Sequence, residues 1–88
     1  MPPSNLKAAL EALLFSSDEP LSLALLAESL EVPIAEVAEA LPALDHDYQA
    51  RAAGVQLREI AGGYLVVTAP EHAEWVGRML RGKRRMRL

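Results

Sequence analysis

Residues Val55 to Thr68 read VQLREIAGGYLVVT, and the fold turns on how they are paired. Val55–Ile60 and Tyr64–Thr68 are rich in β-branched and aromatic side chains and flank Ala61-Gly62-Gly63. Two such runs joined by paired glycines predict a β-hairpin, with Gly62-Gly63 as its two-residue turn. Ala61 then pairs with Tyr64 and Ile60 with Leu65. Side chains alternate along a strand, so Val55, Leu57, Tyr64 and Val66 share one face, and Ile60, Leu65 and Val67 share the other.

Upstream of this hairpin the apolar residues recur at helical rather than strand spacing. Ser4 is placed to cap a first helix whose stripe is Leu6, Leu10, Leu13 and Leu14, with Ala8 and Phe15 on the opposite side. Ser16-Ser17-Asp18-Glu19-Pro20 ends it, because the residue before proline disfavours helical backbone. Ser22 starts a second helix that buries Leu23, Leu26, Ala27 and Leu30. After the turn Glu31-Val32-Pro33, a third helix runs from Ile34 to about Arg51 on the stripe Ile34, Val37, Leu41, Leu44 and Tyr48. Pro42 lies inside it and predicts a kink or break near residues 38–41. Gly54 is placed to take a left-handed cap. Downstream of the hairpin, Pro70 opens a last helix with His72, Trp75, Val76, Met79 and Leu80 on its apolar side, and Gly82 ends it.

Three helices, a hairpin and a closing helix make a mainly α (α+β) chain. The order is that of a winged helix-turn-helix, in which the hairpin is the wing. The short Leu30–Pro33 turn between helices two and three suits that module.

The totals narrow the function. The 88 residues are 51% apolar and 24% charged, the composition of one small globular domain. No apolar run reaches the roughly 20 residues that cross a bilayer, and MPPSNLKAAL lacks the features of a secretory signal. There is no cysteine, hence no disulfide and no thiolate chemistry. These features lead us to expect a cytoplasmic protein. The net charge of −3 hides a division. Residues 1–77 carry three cations against all twelve acids, a net of −9, whereas residues 78–88 carry six cations and no acid.

No motif points to catalysis, a metal or a cofactor. His46 and His72 stand apart and lack partners at zinc-ligand spacing. Asp45-His46-Asp47 reads as a solvated helix face, because neighbouring residues on a helix point in different directions. Gly62-Gly63 leads into a strand and lacks the lysine and helix of a phosphate loop. We therefore expect no enzyme.

A winged helix ordinarily reads DNA with its third helix. Here that helix has four acids and no Lys or Arg between Ile34 and Ala50. Acids facing phosphate reverse the usual electrostatic gain. DNA binding stays as the alternative function, resting on the basic tail, with Arg81, Lys83, Arg84, Arg85 and Arg87 as nonspecific contacts that are at most weak. Protein binding is the better reading. A wing packed on a helical core buries one face only, which leaves Ile60, Leu65 and Val67 without a partner, and Phe15 projects from the back of helix one. Two coverings of the second face are open. Either another protein covers it, or the closing helix does, with Trp75 and Met79 packed against it. The candidate interface is Phe15, Ile60, Leu65, Val67, Trp75 and Met79.

Two long stretches carry a family resemblance: LKAALEALLFSSDEPLSLALLAESLEVP (Leu6 to Pro33) and GVQLREIAGGYLVVTAPEHAEWV (Gly54 to Val76). With their EALLF, EPLS and AGGY…VT.PE elements in order, they resemble the start of segregation and condensation protein B. Pro33 and Pro42 depart from the family pattern. The resemblance implies tandem winged helices, and hence a winged-helix domain over residues 1–80. Residues 81–88 would be a basic tail opening the linker to a second domain. It implies a non-enzymatic, nucleoid-associated subunit of the bacterial chromosome condensation and segregation machinery. Its expected partners are a second copy of itself, the kleisin subunit (segregation and condensation protein A) and, through that subunit, the structural-maintenance-of-chromosomes ATPase.

Overall fold

The computed structural model describes residues 1–85. Helices α1 (Leu6–Phe15), α2 (Leu23–Leu30) and α3 (Ile34–Ala50) precede strands β1 (Val55–Ile60) and β2 (Gly63–Thr68); a 3-10 turn (Pro70–His72) then leads into α4 (Ala73–Arg85). This is the winged helix-turn-helix expected from the sequence.

The core is the meeting place of the first three helices. Leu10, Leu14, Leu26, Ala27, Leu30, Val37, Ala40, Leu41, Leu44 and Tyr48 form one buried cluster. The inner hairpin residues Val55, Leu57, Tyr64 and Val66 pack on it. Ile34 departs from its expected place in the stripe and is half exposed. It sits in the first turn of α3, where the helix emerges from Pro33.

Two of the three expected caps are displaced, by one and by two residues. Asn5, rather than Ser4, caps α1, its side-chain oxygen accepting from the Ala8 N–H at 3.1 Å. Ser22 caps α2 as expected, accepting from the Leu25 N–H at 3.1 Å. At the end of α3 the left-handed residue is Ala52 (φ 48°), not Gly54. The Ala53 N–H reaches back to the Tyr48 carbonyl at 2.8 Å and the Ala52 N–H to that of Gln49 at 3.1 Å, which closes a Schellman motif. Of the kink or break expected at Pro42, the break does not occur: α3 is one helix through the proline. Leu41 and Leu44, buried on either side of the proline, hold both halves to the same core.

The hairpin forms where expected but in a different register. Ala61 (φ 52°) and Gly62 (φ 78°) are the turn, Ile60 pairs with Gly63, and Arg58 with Leu65. Two consecutive left-handed residues give the twist that suits a tight hairpin. The expected pairing is off by two residues, an even slip, so each side chain keeps its expected face. Gly63 is freed from the turn for another task. It is buried, and a Cβ there would lie 2.9 Å from Pro20 Cβ, 3.0 Å from the Pro20 carbonyl carbon and 3.1 Å from the Leu21 nitrogen. The α1–α2 connection passes this close because Leu21 and Tyr64 exchange two backbone hydrogen bonds, each 2.8 Å, adding a one-residue third strand to the outer edge of β2.

The other edge of the wing is held by a side chain. Asp45 Oδ1 accepts from the Leu57 N–H at 3.0 Å, and its Oδ2 accepts from Gln49 Nε2 at 2.9 Å. Asp45→Ala leaves a partly buried strand donor unpaired, and we expect a loss of about 1–2 kcal/mol in urea unfolding. Asp45→Asn keeps an acceptor and should recover most of it. Equal losses in the two variants would contradict this role.

Candidate protein interface

Helix α4 departs furthest from expectation. It runs past Gly82, where the sequence placed its end, to Arg85. The Ala69 N–H donates to the Gly54 carbonyl at 2.8 Å, closing the base of the hairpin, and buried Ala69 followed by Pro70 sets the direction of exit. From there α4 leads away from the body. Its one extensive neighbour among the described residues is the 3-10 turn that feeds it. The molecule measures 45 × 30 × 25 Å, with a radius of gyration of 15.0 Å, where a compact chain of this length has about 12 Å.

Among the described residues, α4 therefore makes no extensive contact with its own hairpin. Trp75 (56% exposed), Met79 (55%) and Leu80 (49%) stand open rather than closing on the core. Trp75 and Met79 are four residues apart, as are Val76 and Leu80, so they form one apolar ridge. Arg78 lies over the Trp75 ring at 5.3 Å and its guanidinium donates to Glu74 at 3.1 Å. On the hairpin, the register places Ile60, Leu65 and Val67 together on the outer face with Gln56 and Arg58. Ile60 is exposed and Leu65 and Val67 are half-buried; none of the three belongs to the core cluster.

The candidate residues thus fall into three places: a hairpin face, a helix ridge, and Phe15, 84% exposed at the end of α1. No described contact brings the three together. Ile34, expected in the core, is exposed as well, and so is Leu25, which the sequence reading left unassigned. Leu25 is the one leucine of α2 left over once Leu23, Leu26 and Leu30 are assigned inward.

The acidic surface of α3 is also smaller than its composition suggests. Asp45 holds the wing, and Asp47 accepts from Lys7 Nζ at 2.6 Å. That hydrogen bond keeps the Asp47 carboxyl below its ordinary range. Glu36 and Glu39 remain exposed, beside Ala35, Ala38, Pro42 and Ala43. Neither a lysine nor an arginine lies on α3, where a DNA-reading helix would place them. Arg81 and Lys83 are exposed on α4, Arg84 and Arg85 belong to the same helix, and Arg87 lies outside the described residues.

Between α1 and α3, Asn5, Lys7, Glu11, Asp47, Tyr48 and Arg51 line a shallow cleft. Its groups are spoken for: the buried Tyr48 hydroxyl donates to Glu11 Oε2 at 2.8 Å, and Arg51 lies over the Tyr48 ring at 5.4 Å. Burial, reinforced by the bond to Glu11, pushes the Tyr48 hydroxyl from 10.0 up to about 12. A folded-state value above the unfolded one contributes stability that is complete below pH 10 and is lost as pH rises towards 12. In a Tyr64→Phe background, the tyrosinate absorbance should rise near pH 12 or together with unfolding. A step near pH 10 in the folded protein would contradict this burial. Among the described residues no three His, Asp or Glu side chains gather where they could hold a metal ion, and no helix is long and apolar enough to cross a membrane.

Comparison with known proteins gives one family. The model for "Segregation and condensation complex subunit ScpB" matches residues 8–88. Segregation and condensation protein B of Symbiobacterium thermophilum is 43% identical over 79 residues, covering 90% of this chain and 36% of the relative. That of Geobacillus thermodenitrificans is 43% identical over 75 residues, covering 84% and 36%. The chain thus spans little more than a third of these curated relatives. The crystal structure of ScpB from Mycobacterium tuberculosis is similar with a TM-score of 0.87 at 32% identity, covering 94% of this chain and 52% of that one. A dimer of the ScpB N-terminal domain complexed with ScpA peptide is similar with a TM-score of 0.78 at 39% identity, covering 83% and 91%.

Proposed function

Because the chain belongs to the segregation and condensation protein B family, we propose that it is the self-associating winged-helix part of a non-enzymatic subunit in the bacterial chromosome condensation and segregation complex. It acts in the cytoplasm at the nucleoid and binds the kleisin subunit, segregation and condensation protein A, which links it to the structural-maintenance-of-chromosomes ATPase. The observation that carries this reading is the pair of uncovered apolar faces, the α4 ridge and the outer hairpin, in a domain whose usual DNA-reading helix displays acids and alanines. Unpartnered apolar surface of this kind marks protein contacts. The related N-terminal domain that was crystallised as a dimer with a ScpA peptide supports the same reading.

Fluorescence anisotropy separates this function from the DNA-binding alternative. A labelled peptide from the cognate segregation and condensation protein A should bind saturably, while duplex DNA should bind weakly and lose its signal at moderate salt. Saturable duplex binding that disappears on deletion of residues 81–88, with no binding of the peptide, would favour the alternative.

A further inference from the structure

We infer that the arginine side of α4, opposite its apolar ridge, is a nonspecific contact for the phosphate backbone of duplex DNA. This goes beyond the protein contacts proposed above, which use the ridge and not the arginines. From Trp75 onward the chain carries six cations and no acid, and that stretch is helical up to Arg85. Helical spacing sorts these charges. Arg78, Arg81 and Arg85 lie at i, i+3 and i+7 and so share one side, while Trp75, Val76, Met79 and Leu80 occupy the other. Arg81 is exposed. Arg78 donates to Glu74, one turn earlier, so part of its charge is already answered within the helix. Among the described residues no ion pair ties Arg81 or Lys83 to the body, although residues 1–77 carry a net −9.

The placement of α4 lets an acidic protein present cations to an anionic polymer. A 13-residue helix is about 20 Å long, and its one extensive neighbour among the described residues is the 3-10 turn that feeds it. At 0.15 M ionic strength the screening length is about 8 Å, so charges along the outer half of the helix feel little of the acids behind them. Arg78 to Arg85 covers about 10 Å of helix axis, the rise of about three phosphates on one strand at about 3.4 Å each. Arginine meets phosphate oxygens with two parallel N–H groups. Such contacts position a duplex and carry no sequence information. The duplex is thus held by the last helix, not by α3 or the wing. An anionic bilayer would match the charge but not the division of faces. An interfacial helix buries its apolar side in the membrane, and that side is the surface assigned above to protein contact. A contact made by arginines alone leaves the ridge free for it.

Fluorescence anisotropy with labelled duplexes of unrelated sequence, between about 50 and 200 mM salt, tests this. The parent protein should bind them weakly and alike, with a slope of log K against log salt of roughly −2 to −3 for each α4 engaged. Arg81→Gln, which keeps a good helix former, should make the slope shallower by about 1 per engaged helix and weaken binding severalfold. Arg58→Gln makes the same change in net charge on the exposed wing and should leave both unchanged. Equal effects of the two variants, no effect of Arg81→Gln, or no duplex binding by the parent at about 50 mM salt would overturn the inference. So would binding to phosphatidylglycerol vesicles in place of the duplex. If Arg81→Gln loses its helical circular dichroism, Arg85→Gln performs the same test. Binding of the segregation and condensation protein A peptide, measured on the same samples, should be unchanged in either variant. Its absence from the parent alongside the expected salt slopes would overturn the proposed function and leave this contact standing.

Discussion

Gly63→Ala is expected to cost the fold about 2–3 kcal/mol and to lower the melting temperature by about 10–20 °C. The added methyl meets the Pro20 ring, the Pro20 carbonyl carbon and the Leu21 nitrogen at 2.9, 3.0 and 3.1 Å. Two of these three atoms are backbone and cannot rotate aside. Separating the strands to make room breaks the reciprocal 2.8 Å hydrogen bonds between Leu21 and Tyr64, so the steric cost adds to the loss of paired donors. Gly54→Ala is the control. A Cβ there meets nothing within 4 Å, and the residue lacks a positive φ, so its effect should stay within about 0.5 kcal/mol. Thermal melts of the two variants at one protein concentration make the comparison, since association itself adds to apparent stability. Equal melting temperatures would mean that the α1–α2 connection does not pass where the structure places it.

Leu10→Ala should be more costly still, about 3–4 kcal/mol in chemical denaturation. Leu10 is 0% exposed in the cluster where α1 meets α2 and α3. Its truncation removes apolar contact and leaves a cavity that three rigid helices cannot close. A chain of this length has in total roughly 4–13 kcal/mol of stability, so the variant should be partly unfolded well below the melting point of the parent. Leu13, half-buried on the same helix, gives the internal comparison. Leu13→Ala should lose about half as much, because solvent already reaches its side chain and neighbours can relax into the gap. Equal losses at the two positions would contradict the orientation of α1.

The sequence makes legible what depends on periodicity. The leucine stripes located α1 and α2, and the Ser22 cap and the two faces of the hairpin follow from local rules. What it misses depends on contacts between distant segments. Gly62-Gly63 reads locally as a turn, yet Gly63 is required by Pro20 and Leu21, more than forty residues away in the chain, and Ala61 takes the left-handed position that a glycine would take more easily. Asp45 and Asp47 read as solvated acids because their partners, the Leu57 N–H and Lys7, are set by the packing of α3 against β1 and α1. Gly82 reads as a helix end, but glycine only weakens a helix, and α4 continues through it. The candidate interface was legible as surplus: Ile60, Leu65 and Val67 had no place in the core. Whether Trp75 and Met79 covered them could not be decided by pattern, since an apolar ridge looks the same whether it packs on its own chain or on another. The exit of the chain at Ala69-Pro70 decides it.

If these exposed faces belong to a self-associating domain, sedimentation equilibrium at micromolar concentrations will show it. The parent protein should sediment as a species of twice the 9.6 kDa chain mass, and Leu65→Glu, in which a charge replaces an apolar side chain on the candidate interface, as a folded species of single mass. A parent protein of single mass throughout the concentration range would contradict it.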